Sequence, residues 1–491
     1  MKDKVKKLTQ NTLIYGLGNT MNKFMGIFLI PLYAKLIPIE QFGVLAVFEM
    51  SLLFLANIIP LGITNGHERY ILREKEKGEY PVFLFSNYAA LLGISFIVLS
   101  LLSLFSKEMS FIISGSSANN KVMFLVFISL FFDINNLIPI YKLQYENKPI
   151  QYILQNTSKL LISISTAIYL IAFRHYGIEG VFIGRILGSS SLFIWQLFAN
   201  IIPYCKFHFD KQKVILAIKY GFPVVLSSIG FLLFLMSDRY LVNIFLGNSA
   251  AGKYSFGFRM ASILLVLIQS IGVSYLPTLF SHENKDNNKR YYVKMLTYYT
   301  FIITWLIIAF VFFYKIPLWP LVKNKEYWDG LTIVPILCFA FLFQGMTYFV
   351  NVGVSLTNNN RYMIFPSILI ATVNILLNIW LLPVFGFVFA AYCVLFSHMM
   401  SVTAYSYFSY RFYKIKFEWS KNLLTIVIAA IFIFISNMSW ANDSVLIRIA
   451  LRTAMLISFP VILWRLGYFE KIEVETIFER LKNPRSFFRK G

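Results

Sequence analysis

The sequence predicts an all-α, polytopic membrane protein with about fourteen transmembrane helices. Of its 491 residues, 58% are hydrophobic and only 14% are charged, whereas soluble domains average about 25% charged residues. The apolar residues form runs of roughly 20, enough to cross about 30 Å of hydrocarbon. Lysines and arginines separate these runs. No stretch between the runs is polar enough to form a separate soluble domain, so the bilayer is the expected solvent.

Fourteen apolar segments are long enough to span a bilayer. They lie at 11–36, 42–63, 82–105, 122–140, 150–173, 178–202, 219–246, 251–280, 292–314, 331–356, 362–383, 386–409, 422–438 and 446–466. The first segment follows a basic N-terminus, as a secretory signal would. It is too long for such a signal and lacks a small-residue cleavage site, so it is interpreted as a spanning helix.

Basic residues concentrate in alternate connectors. The connectors on the side of the N-terminus, together with both ends of the chain, hold thirty lysines and arginines, and the opposite connectors hold six. Because positive loops stay on the cytoplasmic side, both termini are predicted to be cytoplasmic. The same asymmetry accounts for the net charge of +22, so no nucleic-acid partner is expected.

The opening of the chain shows a weak internal repeat. Tyr15-Gly16 begins the first segment and Tyr220-Gly221 begins the seventh. Six helices separate the two copies, which gives them the same orientation and predicts two parallel-related bundles. The expected divisions are a six-helix bundle at 1–210, a second at 211–412, helices 13 and 14 at 413–468, and a basic cytoplasmic tail at 469–491.

Charged residues inside the segments are the candidate functional groups, because a charge at the centre of a spanning helix costs at least about 2.5–3.5 kcal/mol. The interior cations are Lys23, Lys159, Arg185, Arg239 and Arg259, and the interior acids are Glu49, Asp133 and Asp238. The acids are candidates for ion coupling. The surplus of cations suggests an anionic, phosphate-bearing substrate. Ion pairs that lock helices together, such as Lys23 with Glu49 or Arg239 with Asp238, remain the alternative.

Polar side chains also follow one face of the tenth segment and one face of the eleventh. Spacings of three or four residues place each set on a single helical face. The sets are Gln344, Tyr348, Asn351, Ser355 and Asn358 in the tenth segment and Asn374 and Asn378 in the eleventh. Such groups could line a cavity for a hydroxyl-rich ligand or join neighbouring helices, and the sequence leaves both open.

Catalytic and metal-binding motifs are missing from the sequence. It has no G-x-x-x-x-G-K-[ST], H-E-x-x-H or G-x-S-x-G pattern. Its three cysteines have no C-x-x-C spacing. We therefore expect neither an enzyme nor a bound metal or cofactor.

Two short motifs resemble the polysaccharide biosynthesis (O-antigen flippase, Wzx-like) family of the multidrug/oligosaccharidyl-lipid/polysaccharide exporter (MOP) superfamily. One runs from Asn11-Thr12-Leu13-Ile14-Tyr15-Gly16 to Ile30-Pro31-Leu32-Tyr33 and Glu40-Gln41-Phe42-Gly43. The other runs from Asp238-Arg239-Tyr240-Leu241 through Phe245-Leu246-Gly247 to Gly252-Lys253-Tyr254-Ser255.

The resemblance implies a flippase that moves undecaprenyl-diphosphate-linked oligosaccharide across the bacterial cytoplasmic (inner) membrane by alternating access. In this family, cationic positions that match Lys23, Arg239 and Arg259 bind the diphosphate. We add Arg185 and Lys159 to the candidate substrate-binding residues because both lie well inside their apolar segments. Gln344, Asn351, Asn374 and Asn378 would then face the glycan. The implied partners are the lipid-linked oligosaccharide, membrane lipids, and a polysaccharide polymerase with its chain-length regulator.

Two other functions remain open from the sequence. A cation-coupled drug antiporter of the same superfamily would have a cavity dominated by acids, which the surplus of cations disfavours. A membrane O-antigen polymerase or ligase would be expected to carry a large external loop, and the connectors at 106–121 and 315–330 are short.

Overall fold

The computed structural model describes residues 31–146, 148–281, 288–357, 360–438 and 445–470, which form helices and no β-strand. The helices up to residue 281 are α1 (Ile39–Ile58), α2 (Ile63–Glu76), α3 (Tyr80–Leu104), α4 (Ser106–Ser114), α5 (Asn120–Asn135), α6 (Leu137–Tyr145), α7 (Pro149–Ala172), α8 (Ile178–Gln196) and α9 (Lys211–Ser281). The later helices are α10 (Asn288–Phe313), α11 (Lys315–Leu318), α12 (Glu326–Gly330), α13 (Val334–Val350), α14 (Val352–Leu356), α15 (Ile364–Phe385), α16 (Val388–Tyr413), α17 (Trp419–Met438) and α18 (Val445–Arg465).

Twelve helical stretches within the described ranges are long and apolar enough to cross a membrane. They correspond to all the predicted segments except the first and the fifth. The fifth is α7, whose 24 residues extend about 36 Å but include more polar side chains. The first, at 11–36, lies mostly outside the described residues. The all-α polytopic architecture is confirmed, and the number fourteen is approximate.

Helix α9 turns back on itself at Gly247. A straight helix of its 71 residues would extend about 107 Å, more than three times the hydrocarbon thickness. Gly247 has φ 81° and ψ 178°, a conformation open to glycine because it lacks Cβ. The Arg239 guanidinium consequently lies 4.0 Å from the centre of the Phe258 ring, which is nineteen positions further along the chain. The stretches before and after Gly247 are called the first and second arms of α9.

Packing divides the chain into two compact units. The first unit takes its described residues from Met1–Val266, Pro320–Leu337 and Phe365–Ser397, and the second from Leu267–Trp319, Cys338–Ile364 and His398–Gly491. In the first unit α8 packs against α5 and α7, and in the second α10 packs against α17 and α18. The sequence-based division at residues 210 and 412 stays a prediction.

Candidate functional site

Asp133 on α5 lies at the centre of a cluster of charged side chains in the first unit. Its carboxylate accepts hydrogen bonds from Lys159 Nζ at 2.5 Å and from Arg185 Nε at 2.9 Å. The Ser189 hydroxyl donates a third bond at 2.7 Å. The side chains of Lys159, Arg185 and Asp133 are 27%, 38% and 13% exposed. One carboxylate therefore faces two cations, which leaves this cluster with one surplus positive charge.

Close helix packing brings these side chains together. Glycines at positions 180, 184 and 188 occur every four residues along α8, and this spacing lets two helix backbones approach closely. A Cβ atom on Gly188 would lie 2.5 Å from the Lys159 carbonyl oxygen, and one on Gly184 would lie 2.5 Å from the carbonyl oxygen of Ser163. The backbone of α7 thus lies directly against α8, next to Arg185.

Glu49, at the middle of α1, pairs with Arg259 on the second arm of α9. The Arg259 guanidinium also lies 4.9 Å from the centre of the Phe42 ring. Both side chains of the ion pair are partly exposed, at 21% for Arg259 and 29% for Glu49. The alternative partner considered from the sequence, Lys23, lies outside the described residues.

Arg239, on the first arm of α9, differs from the other interior cations. It is 7% exposed, and its Nη1 lies 2.9 Å from the Met50 sulfur. Its guanidinium also stacks over the Phe258 ring. Within the described ranges no carboxylate forms an ion pair with it, and the ion pair with Asp238 that the sequence left open does not form. Arg239 is a buried cation whose neighbours are a thioether and an aromatic ring.

These charges belong to one site. Glu49 interacts electrostatically with Arg185 and with Arg239 as well as with its partner Arg259. The residues come from α1, α5, α7, α8 and both arms of α9, and each lies seven or more residues from the end of its segment. The structure thus brings together Glu49, Asp133, Lys159, Arg185, Arg239 and Arg259.

Backbone contacts between α9 and the α1 region lie on either side of this site. At the start of α1, a Cβ atom on Gly43 would lie 1.9 Å from the Asn248 carbonyl oxygen. Beyond the end of α1, a Cβ atom on Gly221 would lie 1.9 Å from the Gly62 carbonyl oxygen. Gly62 has a φ of 83°, which favours glycine. Glu49 and Arg259 lie between these two contacts.

Asp238 accepts hydrogen bonds from neutral side chains in the first unit and interacts electrostatically with Arg239, with no hydrogen bond or ion pair between the two. Tyr254 Oη and Asn378 Nδ2 each lie 3.4 Å from its carboxylate. Asn378 donates to the Asn374 carbonyl at 2.9 Å, and Asn374 donates to the Ser397 hydroxyl at 3.0 Å. Asn374, Asn378 and Ser397 are fully buried. The Asn378 Oδ1 has no donor in the described part of the chain, which leaves acceptor oxygens in excess.

The four amides of the sequence prediction are divided between the units. Asn374 and Asn378 belong to the Asp238 network in the first unit, whereas Gln344 on α13 and Asn351 between α13 and α14 belong to the second. Gln344 and Asn351 are both half-buried. The Asn351 Oδ1 is buried with no donor among the described residues. Contact of these amides with a glycan stays a prediction.

Several contributors to the site were missed by sequence reasoning. Ser189 donates to Asp133, Met50 and Phe258 surround Arg239, and Ser397 ends the amide network. The four-residue spacing of glycines along α8 was the one available signal, because it predicts a tightly packed neighbour close to Arg185. Met50 and Phe258 carry no such signal in an apolar sequence.

Comparison with known sequences supports the family suggested by the motifs. Residues 8–283, more than half of the chain, match the family described as "Polysaccharide biosynthesis protein". A Haloferax volcanii protein named "Probable low-salt glycan biosynthesis flippase Agl15" is 21% identical over 472 residues, covering 90% of this chain and 92% of the relative.

Solved structures of transporters share the fold. The lipid II flippase MurJ in an inward closed conformation superposes with a TM-score of 0.74 at 18% identity, over 92% of this chain and 99% of that one. An inward-facing multidrug resistance MATE transporter of the MOP superfamily gives 0.62 at 12% identity, over 83% and 97%. The chain is therefore a multi-pass membrane protein with the fold of MOP-superfamily transporters. It belongs to the polysaccharide biosynthesis protein family, which confirms the resemblance seen in its motifs.

Proposed function

We propose that the protein is a flippase that moves an undecaprenyl-diphosphate-linked oligosaccharide, such as an O-antigen, capsule or exopolysaccharide unit, across the cytoplasmic membrane. The observation that carries the proposal is Arg239, a buried cation in a spanning segment with no carboxylate partner among the described residues. A buried charge of this kind requires a counter-charge, and a diphosphate supplies one. Membership of the polysaccharide biosynthesis family supports the choice of a glycan.

The cations that are paired with carboxylates would also bind the diphosphate of the substrate. Arg259 is held by Glu49, and Arg185 and Lys159 are held by Asp133. Phosphate oxygens form charge-assisted hydrogen bonds with the same groups, so a diphosphate competes with these carboxylates for them. Lys23 is expected to join this set. The lipid tail stays in the bilayer, so the protein shields only the polar head.

The glycan would contact amide groups, with Gln344 and Asn351 on the tenth predicted segment and Asn374 and Asn378 on the eleventh. Amides suit this role because they both donate to and accept from sugar hydroxyls. Alternating access would require the backbone contacts at Gly43 and at Gly221 to open in turn. The backbones are in close contact at both places, and opening either contact would give access to Glu49 and Arg259 from that side.

Asp238 is the candidate for ion coupling. Its carboxylate faces neutral donors, Tyr254 and Asn378, so it can exchange a proton or a small cation without breaking an ion pair. Carboxylate and amide oxygens are ligands that hard cations prefer. Glu49 and Asp133 are weaker candidates because cations already hold them.

We further propose that both termini face the cytoplasm, as thirty basic residues against six indicate. A polysaccharide polymerase and its chain-length regulator would act on the product. A cation-coupled drug antiporter is the main alternative, but the described interior of the first unit has four cations and three acids. That balance suits an anionic substrate.

The test is genetic and uses one matched control. In a deletion strain, lipid-linked oligosaccharide should accumulate on the inner leaflet, and the wild-type gene should restore surface glycan. Arg239→Ala should fail to restore it at normal protein abundance, whereas Arg174→Ala, at an exposed arginine, should succeed. Normal surface glycan from Arg239→Ala would contradict the proposal. Accumulation on the outer leaflet would instead indicate a polymerase or ligase.

A further inference from the structure

A basic cavity lies in the second unit. Its volume is about 440 Å³, and it is lined by five cations and two carboxylates, a surplus of three positive charges. The lining residues are Lys289, Arg290, Val293, Lys294, Lys414, Lys416, Glu418 and Glu470. They come from the start of α10, the end of α16, the turn before α17 and the segment after α18.

The two carboxylates form ion pairs with only some of these cations. Glu470 pairs with Arg290 at 2.6 Å and with Lys294 at 2.7 Å. Lys414 and Lys416 form no ion pair with the described residues and are exposed, while Ile415 between them is buried. Lys414, directly after α16, has a left-handed conformation with φ 53°, and both lysines line the cavity. Two lysines are therefore available to an anion from outside the protein.

An apolar groove of about 390 Å³ begins one residue along the chain from the basic cavity. Glu418 lines the cavity and the next residue, Trp419, lines the groove. Met346, Met399 and Leu423 form part of its apolar wall. All the lining residues of the groove come from α13, α16 and α17.

Asn422, on the wall of the groove, lies one helical turn beyond Glu418 of the basic cavity. Its backbone N–H donates to the Glu418 carbonyl at 3.2 Å. Its side chain lines the groove, is 1% exposed, and has no hydrogen-bond partner for either amide atom among the described residues. An unpaired buried amide costs free energy unless a ligand satisfies it. A polar group of the occupant is therefore expected at this level.

We propose that these cavities together bind one anionic glycerophospholipid. Its phosphate contacts Lys414 and Lys416, an ester carbonyl accepts from the Asn422 amide, and an acyl chain lies along Met346, Met399 and Leu423. A soluble phosphate would fill the basic cavity but leave both Asn422 and the groove without a partner. Basic pockets between membrane helices bind anionic headgroups in this way. The site is distinct from the one proposed for the transported substrate, and it does not depend on that function.

The experiment uses the full-length protein in nanodiscs of phosphatidylcholine, with and without phosphatidylglycerol. Phosphatidylglycerol should raise the unfolding temperature of the wild type and be retained in native mass spectra. Lys414→Gln/Lys416→Gln should weaken retention about thirtyfold, because each lysine near an anionic lipid contributes roughly fivefold. Asn422→Leu should weaken it less, since one neutral hydrogen bond is lost.

The matched control is Lys323→Gln/Lys325→Gln, which removes two exposed lysines from a connector of the first unit. This variant should retain phosphatidylglycerol like the wild type. Equal retention by the Lys414→Gln/Lys416→Gln variant would overturn the proposal. So would inorganic phosphate or pyrophosphate, added to pure phosphatidylcholine nanodiscs, that reproduced the whole rise in unfolding temperature, because that would identify a site for free phosphate.

Discussion

Asp133 and Asp238 are both interior aspartates of the first unit with cations nearby, but their hydrogen-bond partners differ. Asp133 binds two cations and a serine hydroxyl. Asp238 and Arg239 are neighbours in sequence, and neither forms an ion pair with the other or with any other described residue. Consecutive residues on a helix point about 100° apart, so the two side chains contact different neighbours, although their charges still interact electrostatically. Adjacency in sequence therefore says little about pairing in a membrane helix.

The different partners of Asp133, Arg239 and Asp238 suggest a different role for each residue. A carboxylate that satisfies two cations stabilises the packing of its helices, because removing it would leave both charges unpaired. An arginine beside a thioether and an aromatic ring is available to a ligand. A carboxyl group that faces neutral donors is available to a coupling ion. Each assignment predicts a different outcome for substitutions that change charge but little volume.

The largest effect on transport is expected from substitution of Asp238. Asp238→Asn keeps the shape and removes the ionisable group, so transport in proteoliposomes should no longer respond to an imposed sodium or proton gradient. Asp133→Asn is the matched control. The folded fraction of this variant should still respond to the imposed gradient. A gradient response that survives in Asp238→Asn and disappears in Asp133→Asn would reverse the two roles.

Asp133→Asn should instead reduce stability. Breaking a fully buried ion pair costs about 3–5 kcal/mol, and the exposure of Lys159 and Arg185, at 27% and 38%, lowers the expected loss to roughly 2–3 kcal/mol. Thermal unfolding in nanodiscs measures this. Arg239→Met should leave stability unchanged or raise it, because it removes an unpaired buried charge. If Arg239→Met proved the more damaging of the two, Arg239 would have to be a structural residue.

Weakening the backbone contact at Gly221 and weakening the one at Gly43 should open the site to opposite sides of the membrane. In a cysteine-free background with Ser262→Cys as reporter, Gly221→Val should speed labelling from the side of Gly62, and Gly43→Val should speed it from the other side. An added Cβ atom would lie 1.9 Å from the facing carbonyl oxygen at both positions. A change of about 1.4 kcal/mol in the free energy of opening alters the open population roughly tenfold, and the labelling rate follows that population. Gly93→Val, where a Cβ meets open space, should have no effect, and identical labelling in all three variants would exclude gating by these contacts.

A further prediction concerns the pH dependence of stability and His67 on α2, which lies outside the spanning segments. Burial, with a smaller contribution from Lys75, lowers the pKa of His67 to about 3, and the ring stacks on Phe83 at 4.9 Å. The unfolded chain binds a proton that the folded protein rejects. Stability should therefore fall as pH drops below the usual histidine value, by up to about 1.4 kcal/mol per unit.

His67→Phe should remove this part of the acid sensitivity, as measured by unfolding between pH 7 and pH 4. Replacing the exposed His175 with Phe serves as the control. If His67→Phe were as acid-sensitive as the wild type, the sensitivity would have to come from other groups.

The sequence predicted the spanning segments because apolar length is a local property. It also placed Asn374 and Asn378 on one helical face, as observed. It could not predict that Asp133 pairs with Lys159 and Arg185, which lie 26 and 52 residues further along the chain. Nor could it predict that Arg239 faces Met50, because that contact depends on how α9 turns at Gly247 and packs against α1.

In the proposed function, Arg239 is the cation available to a diphosphate. The most direct measurement is the equilibrium binding of an undecaprenyl-diphosphate-linked oligosaccharide to the protein in nanodiscs, compared between the wild type, Arg239→Gln and Arg174→Gln. Removing one partner of a buried charge pair costs about 2 kcal/mol or more. We therefore expect Arg239→Gln to raise the Kd at least about thirtyfold, with Arg174→Gln unchanged. An unchanged Kd for Arg239→Gln in a folded protein would contradict the account.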